Sequence, residues 1–215
     1  IAPLSIPELN VVLEKEYKRL NDPRFEGYFT SFTTYCKPLM SSEFFSQQQV
    51  TGISIGCFGE ANINTAAPAC GIPFTMAHEM AHMKGVMRED DANLVALYLT
   101  LTSENYFLRY SGYFYSFSRL MSLASLTGNE DDYAKVYYSL DPKILKQYRQ
   151  NNEYWDSHDW LSKFQDWLND WYLKSSGTEG TSSYDDTDTV VDEETEVVIT
   201  FSTYQKLYFA IYFDI

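Results

Sequence analysis

Apolar residues recur at helical spacing over most of this chain and alternate with polar ones in one short stretch. Leu9, Val12, Leu13 and Leu20 form a stripe, so residues 6–20 read as an amphipathic helix. Ser5 and Glu8, three apart, fit the capping box that starts it, and Asn21-Asp22-Pro23 ends it. Residues 24–50 are mixed, with a short helix expected over 43–49. From Thr51 to Phe58 the period changes to two. Ile53, Ile55 and Cys57 alternate with Gly52, Ser54 and Gly56, the pattern of a strand. Ala61 to Asn64 reads as a second short strand, and Thr65 to Ile72, with Pro68 and Gly71, as a loop.

Helical periods then return. Pro73 suits a first turn, Phe74, Met76, Ala77, Met80, Ala81 and Met83 follow without a breaker, and Gly85 is the stop. Glu89 opens a further helix carrying Ala92, Val95, Ala96 and Leu99. Residues 105–126 carry an aromatic stripe, read as core, and 131–140 a shorter helix. Asp141-Pro142 caps a long helical stretch, with Asn151-Asn152 as its candidate break and Trp155 to Trp171 on its apolar face. Residues 175–196 are rich in Ser, Thr, Gly and acidic residues and read as a solvated or mobile acidic segment. The spacing and glycine of an EF-hand calcium loop are missing there. Val197 to Phe201 favours strand, and 203–213 is expected to be a terminal helix docked on the core. The expected architecture is one domain over residues 1–215, mainly α in an α+β arrangement. A small two- or three-stranded sheet near 51–64 lies beside the helix of residues 73–84.

That helix carries His78-Glu79-Met80-Ala81-His82. Residues four apart share a helix face, so His78 and His82 can present two imidazole nitrogens to one metal ion. Glu79 lies about 100° further round, placed as a base beside the metal rather than as a ligand. Zinc sites that do hydrolytic chemistry need a third protein ligand and an open position for water. Glu89, seven residues after His82, supplies that ligand if the chain turns back at Gly85. Asn93, one turn after Glu89, is placed to accept a hydrogen bond from a ligand histidine and fix its tautomer.

The run His-Glu-x-x-His followed by Glu-x-x-Ala-Asn resembles the Glu-zincins, peptidases whose third zinc ligand is a Glu on the next helix. Its second half is similar to the peptidases that cleave phage-type repressors. The wider segment, from Gly59-Glu60-Ala61-Asn62-Ile63-Asn64 to Ala96, looks closer to an uncharacterised family of bacterial membrane-anchored zincin-like proteins. Over residues 51–100 the resemblance is strong, and after 177 it is poor. It implies one zinc per chain held by His78, His82 and Glu89, with Glu79 as base and Asn93 as the orienting residue. Asn93 stands where many Glu-zincins have Asp, which removes a charge behind the ligand. Zincins place an edge strand above the metal, which makes Glu60, Ala61, Asn62, Ile63 and Asn64 the expected substrate strand. His158 and Tyr204 are the candidates for an oxyanion donor. The resemblance also implies membrane spans ahead of Ile1 and a place on the extracytoplasmic face of a bacterial membrane.

Composition narrows the partners. The net charge of −14, from 16 basic and 30 acidic residues, argues against nucleic acid and against an anionic membrane surface. No apolar run reaches the roughly 18 residues of a membrane helix, and no signal peptide is visible, so the chain as given reads as soluble. The first residue is Ile rather than Met, which reads as a processed or truncated start. Cys36, Cys57 and Cys70 lack metal-binding spacing; a Cys57–Cys70 disulfide and three free thiols stay equally open. The expected function is zinc-dependent hydrolysis of a peptide or protein substrate. The alternative is a non-catalytic zinc-containing module that binds or senses peptides in a membrane-anchored protein. A scaffold domain without metal is a third.

Overall fold

The computed structural model describes residues 3–20, 33–126, 130–159, 187–191 and 198–202. The first helix, α1 (Ile6–Arg19), starts at the expected capping box: the Glu8 carboxylate accepts from the Ser5 backbone N–H at 2.8 Å and from its hydroxyl at 2.6 Å. Leu9, Leu13 and Tyr17 form its buried face. After it come β1 (Cys36–Pro38), α2 (Ser42–Ser46), β2 (Gly52–Ile55) and β3 (Glu60–Ile63). A 3-10 turn over Gly56–Phe58 separates the last two, and Gly59 closes it at φ 62°, in the left-handed region that glycine favours. The helices α3 (Ile72–Met83), α4 (Glu89–Thr102), α5 (Tyr106–Leu126), α6 (Glu130–Ser139) and α7 (Pro142–Ser157) follow. The strands β4 (Thr187–Val191) and β5 (Val198–Ser202) pair antiparallel with each other.

The architecture is mainly helical with one small three-stranded sheet beside α3. Its order is β1-β3-β2, with β1 parallel and β2 antiparallel to β3. Here the structure departs from the expected edge strand. Residues 60–63 are the central strand, paired on both sides, and β2 is an edge. The cause is β1, three residues whose outer side is closed by a side chain. Asn10 donates to the Cys36 carbonyl at 2.9 Å and accepts from its N–H at 2.8 Å, as a neighbouring strand would.

The main core joins α1, β3, α3, α4 and the start of α5 through Leu9, Leu13, Ile63, Met76, Met80, Val95, Leu99 and Leu108. Tyr17 donates to the Ala77 carbonyl at 2.6 Å and so ties α1 to the middle of α3. At the end of α3 the buried Lys84 ammonium meets the buried Glu14 carboxylate at 2.8 Å, and the same oxygen accepts from Thr34 N–H at 2.8 Å. Removing one partner of a buried pair strands the other charge. Lys84→Met is therefore expected to destabilise the fold by about 3–5 kcal/mol. Urea denaturation checks it, and an unchanged midpoint would show the pair to be dispensable.

The aromatic stripe of α5 is only partly core. Phe107, Phe114 and Met121 are buried, whereas Tyr106, Tyr113 and Leu120 are exposed. The helix α7 starts at Asp141, whose carboxylate accepts from Lys143 N–H at 2.8 Å, and runs unbroken through Asn151-Asn152. Cys70 is a free, buried thiol, pushed up to about 11 chiefly by burial, so the Cys57–Cys70 disulfide is not formed. Cys36 is also free and buried. Residues 187–191 form strand within the stretch read as an acidic loop, and 198–202 form the strand that Val197 to Phe201 favoured. The rest of that acidic stretch, Tyr204 and the expected helix at 203–213 lie outside the described residues. Among the described residues, no helix is long and apolar enough to cross a membrane.

Candidate metal centre

Pro73 lies in the first turn of α3 and Gly85 lies just past its end at φ 104°. The reversal there is hydrogen-bonded: Gly85 N–H reaches the His82 carbonyl at 3.1 Å and Val86 N–H the Ala81 carbonyl at 3.1 Å. The chain then re-enters a helix at Glu89, the first residue of α4, and α4 packs back along α3. This turn is what brings Glu89 to the histidine face.

The three expected ligands meet. Nε2 of His78 and Nε2 of His82 are 3.0 Å apart, and the Glu89 carboxylate oxygens lie 3.1 Å and 3.3 Å from them. One ligand atom from each residue falls within 4.8 Å of the others. Ligand atoms at 2.0–2.1 Å from a tetrahedral zinc are roughly 3.3 Å apart, so the spacing fits such an ion. The chemistry of the set fits as well. Nδ1–H of His82 donates to the Val86 carbonyl at 2.8 Å, which leaves Nε2 of the neutral ring as a lone pair aimed at the other two donors. Burial, reinforced by the second imidazole, holds His78 below the usual histidine range and so favours its neutral, ligating form. The Glu89 side chain is 76% exposed, so the centre opens to solvent on that side.

Asn93 flanks His78 closely enough to favour its charged form, but among the described residues the buried His78 Nδ1 has no hydrogen-bond partner. The expected acceptor role thus passes to the Val86 carbonyl for His82. For His78 that role is not filled among the described residues. Asn93→Ala is expected to weaken zinc affinity about 10–100-fold, the range for lost outer-shell partners, with the melting temperature kept. Competition with a chelator measures it, and equal affinities would show that Asn93 has no hold on the ligand.

Glu79 is 5% exposed and faces the same cavity as the three donors. Burial raises its carboxyl above the usual range, and a hydrogen bond from the Ser54 hydroxyl, 2.7 Å from Oε2, opposes that rise. The cavity has a volume of about 710 Å³. Its lining combines polar residues, among them Ser54, Thr75, His78, Glu79, His82, Glu89 and Asn93, with apolar ones, among them Ile72, Phe74, Met83, Met87, Phe114, Tyr115 and Trp155. Tyr115, which lies outside the stripe that the periodicity of α5 picks out, stacks on Phe74 with centroids 3.7 Å apart and also lines the cavity.

The other expected site residues divide. Ile63 and Asn64 line the cavity. Ala61 and Asn62 are buried in the central strand away from it, and Glu60 pairs with Lys37 at 2.6 Å. His158 does not line the cavity. Its Nδ1 is 2.7 Å from the Tyr154 carbonyl, its ring stacks on Tyr154, and its Nε2 lies 3.6 Å from Glu43. Sequence reasoning missed Ser54, Gly52 and the Val86 carbonyl. Only the first two left a signal, as the polar half of the alternation in β2.

No curated protein and no solved structure matches the chain. Residues 8–191 match the model of a family described as "Protein of unknown function (DUF3810)", and the chain belongs to that family.

Proposed function

We propose that this chain is a zinc-dependent peptidase. The observation that carries the reading is one cavity in which Glu79 faces the His78, His82 and Glu89 donors beside an edge strand. Zinc held by those three side chains would supply Lewis acidity and bring the pKa of water towards about 7. The Val86 carbonyl accepts from Nδ1–H of His82, which in the neutral ring puts the lone pair on Nε2. Glu79 takes the proton of the attacking water and hands it to the leaving amine. Its raised carboxyl pKa suits a group that must both accept and return a proton. The strand β2, not residues 60–64, is the edge along the cavity, and its backbone groups that have no strand partner among the described residues would pair with an extended peptide. A large apolar side chain of that peptide fits the wall formed by Phe74, Phe114 and Trp155.

Metal analysis of the purified protein together with a broad peptide-library cleavage assay tests the reading. About one zinc per chain and cleavage abolished by chelation are expected. A zinc-loaded protein that cleaves nothing would leave the non-catalytic zinc module in its place. By its resemblance to membrane-anchored zincin-like proteins, we place its work at the extracytoplasmic face of a bacterial membrane. Fractionation of cells carrying the tagged full-length protein checks this, and recovery in the cytosol would refute it.

A further inference from the structure

We propose that β2 sets the position of the catalytic base, with Ser54 as a positioning residue for Glu79 and Gly52 as the gap that admits its side chain. The proposal rests on the peptidase reading and adds residues to it.

Side chains two apart on a strand share a face, so Gly52 and Ser54 point the same way. That face meets α3 at Glu79. The Ser54 hydroxyl lies 2.7 Å from Oε2 of Glu79 and 3.0 Å from its backbone carbonyl, so its single proton is shared between two oxygens of Glu79, with the carboxylate the nearer. Two residues earlier, a Cβ on Gly52 would stand 2.7 Å from both Cγ and Oε1 of Glu79 and 2.9 Å from Cγ2 of Thr75. Any larger residue there would push the carboxylate out of its place.

Between them the two positions fix one rotamer. Ser54 takes Oε2, and Oε1 has no hydrogen-bond partner among the described residues. Because Glu79 lines the cavity, Oε1 is the oxygen left for the reacting proton. The same strand is the edge that would hold the peptide. One element therefore aligns the scissile bond through its backbone and the base through its Gly-Ser face. Misplacing a base by about 1 Å can cost about 100-fold in rate, so a dedicated support for Glu79 has a large effect to protect.

The test uses the full zinc-loaded chain and a peptide that the wild type cleaves. Ser54→Ala should lower kcat by up to about 100-fold, the scale of a misplaced catalytic group, with KM and zinc content unchanged. Ser54→Thr keeps the hydroxyl and should restore most of the rate. Gly52→Ala should lower kcat with zinc retained. A second readout is independent of turnover. In protein labelled with ¹³C at glutamate carboxyls, the Glu79 resonance is assigned by its loss in Glu79→Gln, and Ser54→Ala should move it with and without zinc. A wild-type kcat in Ser54→Ala, or an unmoved resonance, overturns the proposal. If the zinc-loaded wild type cleaves no peptide, the peptidase reading falls and the resonance alone decides. Moved, it supports Ser54 as the support of Glu79; unmoved, it overturns that role.

Discussion

Glu79→Gln is expected to reduce peptide hydrolysis by at least about 100-fold while zinc content and melting temperature stay at the wild-type level. General-base catalysis contributes about 10²–10⁴-fold, and an amide cannot accept the proton at neutral pH. The substitution is nearly isosteric, and the Gln carbonyl can still accept the Ser54 hydroxyl hydrogen that now goes to Oε2 at 2.7 Å. No ligand is touched, because the three donors belong to His78, His82 and Glu89. Stability should not fall either. Burial holds the Glu79 carboxyl above its usual range, so at neutral pH the charged form is the one its surroundings disfavour. A neutral amide in the same place removes that opposition. The measurements are zinc content, thermal melting and cleavage of one peptide by both proteins. Equal cleavage rates with zinc present in both would take Glu79 out of the mechanism.

What the sequence disclosed about this site follows from how local each feature is. His78 and His82 are four apart on a helix bounded by Pro73 and Gly85, so their convergence needs only helical geometry. Glu89 required one further assumption, a tight reversal, and glycine at positive φ provides it. The sheet was less legible. The strand β1 has three residues, ends in Pro38 and shows no alternation, yet its pairing with β3 decides which strand is the edge. Without it, residues 60–64 look terminal; with it, they are central and β2 takes their place. The alternation in β2 was visible, but a period of two says only that Gly52 and Ser54 share a face. That this face meets Glu79 depends on how the sheet sits on α3, a contact between residues 25 apart. The Val86 carbonyl leaves no trace at all, since every residue has one. His158 could be noticed only as a histidine. Its Nδ1 is taken up by the end of its own helix, with Glu43 beside its Nε2.

His82→Ala should strip the protein of zinc, with affinity falling by more than the roughly 100-fold that an outer-shell partner is worth. His82 supplies an Nε2 lone pair whose direction is fixed by Nδ1–H on the Val86 carbonyl, and alanine leaves only two donors. Because that hydrogen bond also ties the turn after α3, a second variant separates metal loss from local damage. Glu89→Ala removes an exposed carboxylate whose close contacts are the two histidines, so it should lose zinc with little structural change. His158→Ala is the control. It removes the chain's third histidine, which stacks on Tyr154 outside the cavity, and it should keep zinc at the wild-type level. Thermal melting gives an independent reading. A ligand that binds only the folded state at 100 times its Kd stabilises it by about 2.7 kcal/mol, so added zinc should raise the melting temperature of wild type and His158→Ala. It should leave His82→Ala and Glu89→Ala where they were. If wild type takes up no zinc at micromolar concentration, or all four proteins respond alike, the three converging donors are not a metal site and the peptidase reading has nothing to stand on.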